Sequence, residues 1–225
     1  MKKIAVSTLL LFSAICFANA KNQNQAEVKA DSIEIDNSYI KVLRNSTCCA
    51  SAHSPGFGTR VIVALDQMNV KSDLRIRALN RGEIAVFPEN VSYEAPKAKF
   101  FEISIKKNHP PPSFPEEWIE PKKNSVIYND DEIRIFEERL APGDTRELHS
   151  HAQRIVVKFN YVQLTDPRFK PNGSATGGIQ VPNTVKFAEP VVHVVKNLSK
   201  EIALFNVVIE FKLPKKGEIQ NLKTN

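Results

Sequence analysis

The chain has 225 residues, 42% of them hydrophobic and 25% charged, with a formal net charge of +6. Its 31 Lys and Arg are scattered among 25 Asp and Glu, a balance that supports solubility rather than nucleic-acid binding. With only 3 cysteines it has no disulfide scaffold, so its stability must come from a packed core.

Lys2 and Lys3 precede an apolar run from Ile4 to Phe17 that closes on Ala18-Asn19-Ala20. This is the pattern of a cleaved signal peptide over residues 1–20, too short for a comfortable membrane span. Ile15, before Cys16, is too bulky for a lipid-attachment signal, so the expectation is soluble export, in a bacterium to the periplasm. Loss of Lys2 and Lys3 with the signal lowers the charge from +6 to +4. No later segment reaches the ~18 consecutive apolar residues of a membrane helix. Residues 21–32 form a polar lead-in. The adjacent Cys48 and Cys49 read as small loop residues, with a vicinal disulfide, a buried thiol or an intermolecular bond as the other options in an oxidising compartment.

Strand signals then dominate. Period-two alternation marks Ser32–Asp36, Tyr39–Leu43, Arg60–Leu65 and Glu83–Phe87, and returns at Ser125–Tyr128, Glu132–Phe136, Arg154–Val162 and Phe205–Lys212. After the signal, no stretch of ten residues or more reads as a helix. The recurrence is that of an internal duplication: 39–43 answers 132–136, Arg60–Val63 answers Arg154–Val157, and Phe87–Tyr93 answers Phe187–His193. Two all-β halves follow, residues 33–108 and 125–213, with a polar tail at 214–225. Between them residues 109–124 hold five prolines, which favour extended geometry and make this a semi-rigid strap. Phe114 and Trp118 are expected to pin it to a barrel surface, with His109 exposed. Asn172 to Gly178 reads as a hairpin loop.

Three of the five histidines lie in two short segments, Gly143-Asp-Thr-Arg-Glu-Leu-His149-Ser-His151 and His193-Val-Val-Lys-Asn197. Residues two apart share a face of a strand, so His149 and His151 project together, and His193 can join them from a neighbouring strand. Three neutral imidazoles suit a divalent transition metal, with iron, zinc, manganese, nickel and copper all open; a metal-free pocket in which they hydrogen-bond a ligand is the alternative. Gln153 and Arg154, just past His151, are candidate contacts for an anionic substrate, although a surface ion pair accounts equally well for Arg154. Arg146 and Glu147 read as solvent-facing rim residues.

Gly143-x5-His149-x-His151 resembles the opening of the first cupin motif, and His193-x3-Asn197 the close of the second. The resemblance implies a jelly-roll barrel, or double-stranded β-helix, in each half: an all-β protein of two tandem cupin-like barrels. It further implies metal ligation by His149, His151 and His193, a structural role for Asn197, and pairing of barrel faces into a homodimer. The sequence departs from the pattern where the motif's usual glutamate would stand, at Ile155 and Val156, and at Ala188 and Pro190 in place of Pro-x-Gly. A three-histidine set without carboxylate is shared with thiol dioxygenases of the superfamily. In the first half His53 stands for His149 and Tyr93 for His193, so that half is expected to be structural.

The functional expectation is an exported cupin protein whose second barrel binds a transition metal, a small-molecule ligand or substrate, or both. Oxygenase, isomerase and hydrolase chemistry remain open. The competing readings are a non-catalytic ligand-binding protein and a structural envelope protein.

Overall fold

The computed structural model describes residues 32–45, 49–51, 57–72, 75–95, 98–122, 124–169 and 175–212. The N-terminal signal, Cys48, His53 and the tip of the hairpin at 170–174 lie outside these residues.

The first half comprises β1 (Ser32–Asp36), β2 (Ile40–Asn45), β3 (Cys49–Ser51), β4 (Phe57–Ala64), β5 (Met68–Ser72), β6 (Arg75–Leu79), β7 (Ile84–Phe87), β8 (Tyr93–Ala95) and β9 (Phe100–Lys106). The second comprises β10 (Asn124–Asn129), β11 (Ile133–Leu140), β12 (Thr145–His151), β13 (Arg154–Lys158), β14 (Val162–Phe169), β15 (Ala175–Gln180), β16 (Thr184–Ala188), β17 (Val191–Asn197) and β18 (Leu204–Phe211). The sheets run β1-β2-β9-β4-β7 with β3-β8-β5-β6, then β10-β11-β18-β13-β16 with β12-β17-β14-β15. Adding nine to each strand of the first pair gives the second pair, so the duplication extends to every strand connection. All paired strands are antiparallel, and no described residue is helical.

Register refines the internal match. Arg60 lies opposite Phe87, while Arg154 lies opposite Ala188, so Phe87 corresponds to Ala188, one residue past Phe187. Tyr93 faces Ser51 where His193 faces His149, which puts Ser51 rather than His53 at the backbone position of His149. The run from Arg154 to Val162 is also two strands: it breaks at Phe159–Tyr161, where Asn160 donates to the Ala203 carbonyl at 2.8 Å.

The two five-stranded sheets pack face to face across one shared core. Ile40, Val42, Phe101, Ile103 and Ile105 of the first half meet Ile133, Ile135, Val207, Ile209 and Phe211 of the second. Each contributing strand sends alternate residues to this core and the rest into its own barrel. Strand β18 is therefore buried along its whole length, with odd positions in the shared core and Leu204, Asn206, Val208 and Glu210 turned to the second barrel. A buried strand with two apolar faces would read as unbroken hydrophobics, so the interruptions at Asn206 and Glu210 mark a polar interior.

The barrels are filled differently. The first holds a compact apolar cluster that includes Ile62, Met68, Val70, Leu79, Phe87 and Phe100. In the second, the corresponding cluster is reduced to Leu140, Val162, Val195 and Leu204, with Leu164 against it. Polar side chains and a cavity occupy the remaining space.

The proline strap covers the free edge of β12. The Ile119 carbonyl accepts from Ser150 N–H at 2.8 Å, Ser150 Oγ accepts from Ile119 N–H at 2.8 Å and donates to the Glu117 carbonyl at 2.7 Å, and Gln153 N–H donates to the Ser113 carbonyl at 3.2 Å. An exposed strand edge is thereby blunted. Anchoring comes from these bonds more than from Trp118, which is half-buried with the Arg134 guanidinium 5.9 Å from its ring. His109 is also half-buried rather than exposed, its ring tilted against Tyr39 and Phe211 with Nε2 3.2 Å from Glu132.

Gly143 launches β12 in the left-handed region, φ 76°, as expected for the residue after Pro142. A Cβ there would meet nothing within 4 Å, so the cost of Gly143→Ala is conformational alone. We expect about 1 kcal/mol, read as a lower midpoint in urea unfolding with an unchanged slope.

Candidate metal centre

The structure brings the three histidines together. His149 lies opposite His193 in the β12–β17 ladder, and His151 follows on the same face. One ring nitrogen from each lies within 4.8 Å of the others, and ring centroids are 4.6 to 5.4 Å apart. His149 and His151 are 1% and 2% exposed.

Their tautomers follow from their outer partners. His149 Nδ1 lies 2.7 Å from the Glu147 carbonyl, which can only accept, so Nδ1 carries the hydrogen. His151 Nδ1 lies 3.0 Å from Glu210 Oε1, which also accepts from Ala152 N–H at 3.0 Å, while Oε2 accepts from Arg134 at 2.7 Å. His151 therefore donates to Glu210. Burial, then Arg154, pushes His151 down to about 2, and burial, then the other two histidines, pushes His193 down to about 3. Burial also lowers His149. All three rings are neutral near pH 7, and in both His149 and His151 the bare lone pair sits on Nε2.

These two Nε2 atoms face each other at 3.0 Å, and His193 Nε2 is buried with no hydrogen-bond partner. Two lone pairs at that distance repel unless a cation lies between them. Nitrogens bound to one ion at ~2.1 Å stand about 3.0–3.4 Å apart, the spacing that His149 and His151 already have, and the His193 ring, with a nitrogen within 4.8 Å of theirs, completes a three-imidazole set whose chemistry suits a transition metal. The carbonyl behind His149 and the carboxylate behind His151 are the outer partners that orient ligating imidazoles.

The surroundings correct one expectation. Arg146 is not a rim residue: it is 5% exposed and donates from Nη1 to Glu138 Oε1 at 2.5 Å and from Nη2 to Asn124 Oδ1. The cause is a β-bulge. The β12–β17 register shifts between Arg146 and His149, so Glu147 and Leu148 stand opposite no regular partner, and Arg146 turns to the histidine face while they point outward. The bulge also delivers the Glu147 carbonyl to His149.

Glu138 on β11, Asn206 and Glu210 on β18 complete the polar interior. Asn206 Nδ2 donates to Glu138 Oε2 at 2.9 Å. Burial alone would raise the Glu138 carboxyl, but Arg146, the nearby histidines and Asn206 outweigh it and hold it at about 2. For Glu210 burial prevails over Arg134 and raises it. Sequence spacing missed these carboxylates, which come from strands remote from the histidine motif.

A cavity of about 170 Å³ opens beside His151 and His193, lined also by Glu138, Arg154, Lys158, Gln180, Lys186 and Asn206. Arg154 is thus among the residues that line it. Gln153 does not line it: its Oε1 accepts from Ser113 N–H at 2.9 Å and its Nε2 donates to Glu189 at 3.0 Å, which commits it to the strap. Asn197 is fully buried, with Nδ2 donating to the Leu140, Ala141 and Ile202 carbonyls at 3.2, 3.2 and 2.8 Å, and so ties β17 to two loops. On the strap side His149 borders a second depression of about 360 Å³ with Ile119, Lys122 and Arg146.

No family model matches the sequence, and no curated protein matches it. Solved structures match the fold. The Cupin 2 conserved barrel domain protein from Leptotrichia buccalis aligns over 81% of this chain and 88% of its own, with a TM-score of 0.53 at 8% identity. AerE from Microcystis aeruginosa aligns over 81% and 92%, with a TM-score of 0.55 at 10% identity. An oxalate decarboxylase variant from Bacillus subtilis aligns over 83% and 75%, with a TM-score of 0.50 at 14% identity. These likenesses show a cupin fold, here built as two barrels in tandem. Within it the second barrel carries a three-histidine group. Among the described residues no helix is long and apolar enough to cross a membrane.

Proposed function

We propose that the second barrel is a metal centre acting on a small molecule, with His149, His151 and His193 holding one divalent transition ion. The observation that carries this reading is the pair of facing Nε2 lone pairs at 3.0 Å beside the unpartnered Nε2 of His193. Imidazole ligands suit zinc, iron, nickel and copper, and manganese is also admitted. When bound, such an ion supplies Lewis-acid polarisation of a substrate oxygen or a centre for oxygen chemistry, which keeps oxygenase-, isomerase- and hydrolase-type reactions in view.

The chain's own residues have distinct tasks. Glu210 and the Glu147 carbonyl fix the histidine tautomers, Arg134 anchors Glu210, and Arg154 offers positive charge to the cavity. Glu138 is held ionised by Arg146 and Asn206, which suits it to balancing charge rather than taking protons. That commitment also favours a second reading, ligand binding without turnover. The first barrel, filled by its apolar cluster, is structural scaffolding. Export to the periplasm is part of the proposal and rests on the lysine-led apolar segment at 1–20.

Metal analysis of untagged protein tests the reading. We expect close to one transition-metal ion per chain, lost in His149→Ala and His193→Ala variants that remain folded by circular dichroism. Metal-free protein after supplementation would overturn it. Stabilisation by a ligand that persists in chelator, without turnover, would favour the binding-only reading.

A further inference from the structure

The cavity beside the histidines carries an excess of positive charge. The two carboxylates around the site each have their own arginine, Glu138 with Arg146 at 2.5 Å and Glu210 with Arg134 at 2.7 Å. Arg154, 8% exposed, donates instead to two neutral carbonyls, those of Ala152 at 3.2 Å and Glu189 at 2.8 Å. Among the described residues, Arg154, Lys158 and Lys186 form no ion pair, yet all three line the cavity. They share one wall by register: Arg154 lies opposite Ala188, Val156 opposite Lys186 and Lys158 opposite Thr184, so the cations run along adjacent strands β13 and β16 on the barrel face. Burial, then repulsion from Lys186, lowers the Lys158 ammonium, as expected for two neighbouring cations on one wall.

A second observation concerns Asn206. Its amide orientation is fixed because Nδ2 donates to the Glu138 carboxylate at 2.9 Å, which leaves Oδ1 buried with no donor. Asn206 is 3% exposed and lines the same cavity. A buried acceptor without a partner costs free energy until something donates to it.

We propose that this cavity binds a small hydroxycarboxylate, with its carboxylate against Arg154 and the two lysines and its hydroxyl donating to Asn206 Oδ1. The cavity's 170 Å³ is the volume of about five or six waters, which suits roughly a two- to four-carbon acid. A donor that is itself cationic, such as the ammonium of an amino acid, would meet the unpaired cations, so a hydroxyl is the better match. This deepens the metal-centre reading by naming the substrate class of the same barrel, and it can fail independently.

Isothermal titration calorimetry with lactate and propionate, which differ by the hydroxyl, tests it on the full chain in metal-free and metal-loaded form. Wild type should bind lactate roughly tenfold more tightly than propionate, and Asn206→Leu should erase the difference. Lys158→Gln and Lys186→Gln should each weaken both acids about two- to fivefold, more so at low salt. Lys186 is exposed, so its variant folds whatever becomes of Asn206→Leu. Equal affinities for the two acids, no binding of either, or affinities untouched by both lysine changes would overturn the proposal. Protein that holds its ion but ignores both acids retains the metal reading and loses this one. Protein that binds lactate yet never takes up an ion does the reverse.

Discussion

Metal-free protein taken from pH 7 to about pH 4.5 should lose several kcal/mol of stability. His151 and His193, held at about 2 and about 3, stay neutral in the folded state while the same side chains in the unfolded chain protonate near 6.5. Between those values the unfolded state carries protons that the folded state refuses, so stability falls as pH falls. Each group contributes up to ~1.4 kcal/mol per pH unit, which for the two together reaches about 5 kcal/mol by pH 4.5. His149, also lowered by burial, adds in the same direction. Glu138, at about 2, extends the loss below the ordinary carboxyl value of 4.5, since its contribution is present above that value and fades as pH falls toward 2. Glu210, raised by burial, works weakly the other way. Urea unfolding midpoints of chelator-treated protein across pH 7.5 to 4.5 provide the measurement, and His193→Gln should flatten the slope by one proton's share. A midpoint that does not move over this range would mean that the imidazoles are solvated.

The same imidazoles show how far the sequence could be read. Their spacing, two apart on one strand and opposite a third on another, requires only the alternation of an extended chain, and His149, His151 and His193 do converge. The repeated order of strands was equally visible, because β4 and β13, or β2 and β11, carry similar alternation of β-branched residues. Short strands such as β3 and β8 carry too few residues to show a period. Arg146 was misplaced because alternation fails at a bulge: one extra residue reverses the facing of everything before it, and nothing in Glu147-Leu148 announces the insertion. Glu138 and Glu210 escaped a motif-based search because they reach the histidines through the sheet rather than along the chain. Their signal was compositional. An acid between Ile209 and Phe211, in a strand otherwise rich in valine, isoleucine and phenylalanine, is too costly to bury without partners, and here the partners are Arg134, His151 and the Ala152 amide. Gln153 lies away from the cavity for a related reason: it sits where the strap crosses, bonded to Ser113 and Glu189, and the strap's interactions cannot be anticipated from its prolines alone.

Replacing Arg146 with methionine should destabilise the protein by about 3–5 kcal/mol at pH 7, comparable to breaking other buried ion pairs. Methionine keeps much of the arginine stem's volume, so the effect isolates charge. The change removes the 2.5 Å partner of Glu138, a carboxylate 8% exposed, and leaves Asn206 as its hydrogen-bond donor. It also strips the donor from Asn124 Oδ1. With Arg146 gone, burial dominates at Glu138 and its pKa rises, so the variant can relieve the cost by taking up a proton. The stability gap between wild type and Arg146→Met should therefore narrow as pH falls toward 4.5, whereas a loss due to packing would not depend on pH. Adding Glu138→Gln should recover much of the deficit, because the neutral amide needs no counter-charge and can still accept from Asn206; the double-mutant cycle then gives the coupling directly. A deficit of the same size at every pH, unrelieved by Glu138→Gln, would show that Arg146 serves as a spacer and that the interior carboxylate is balanced by other groups.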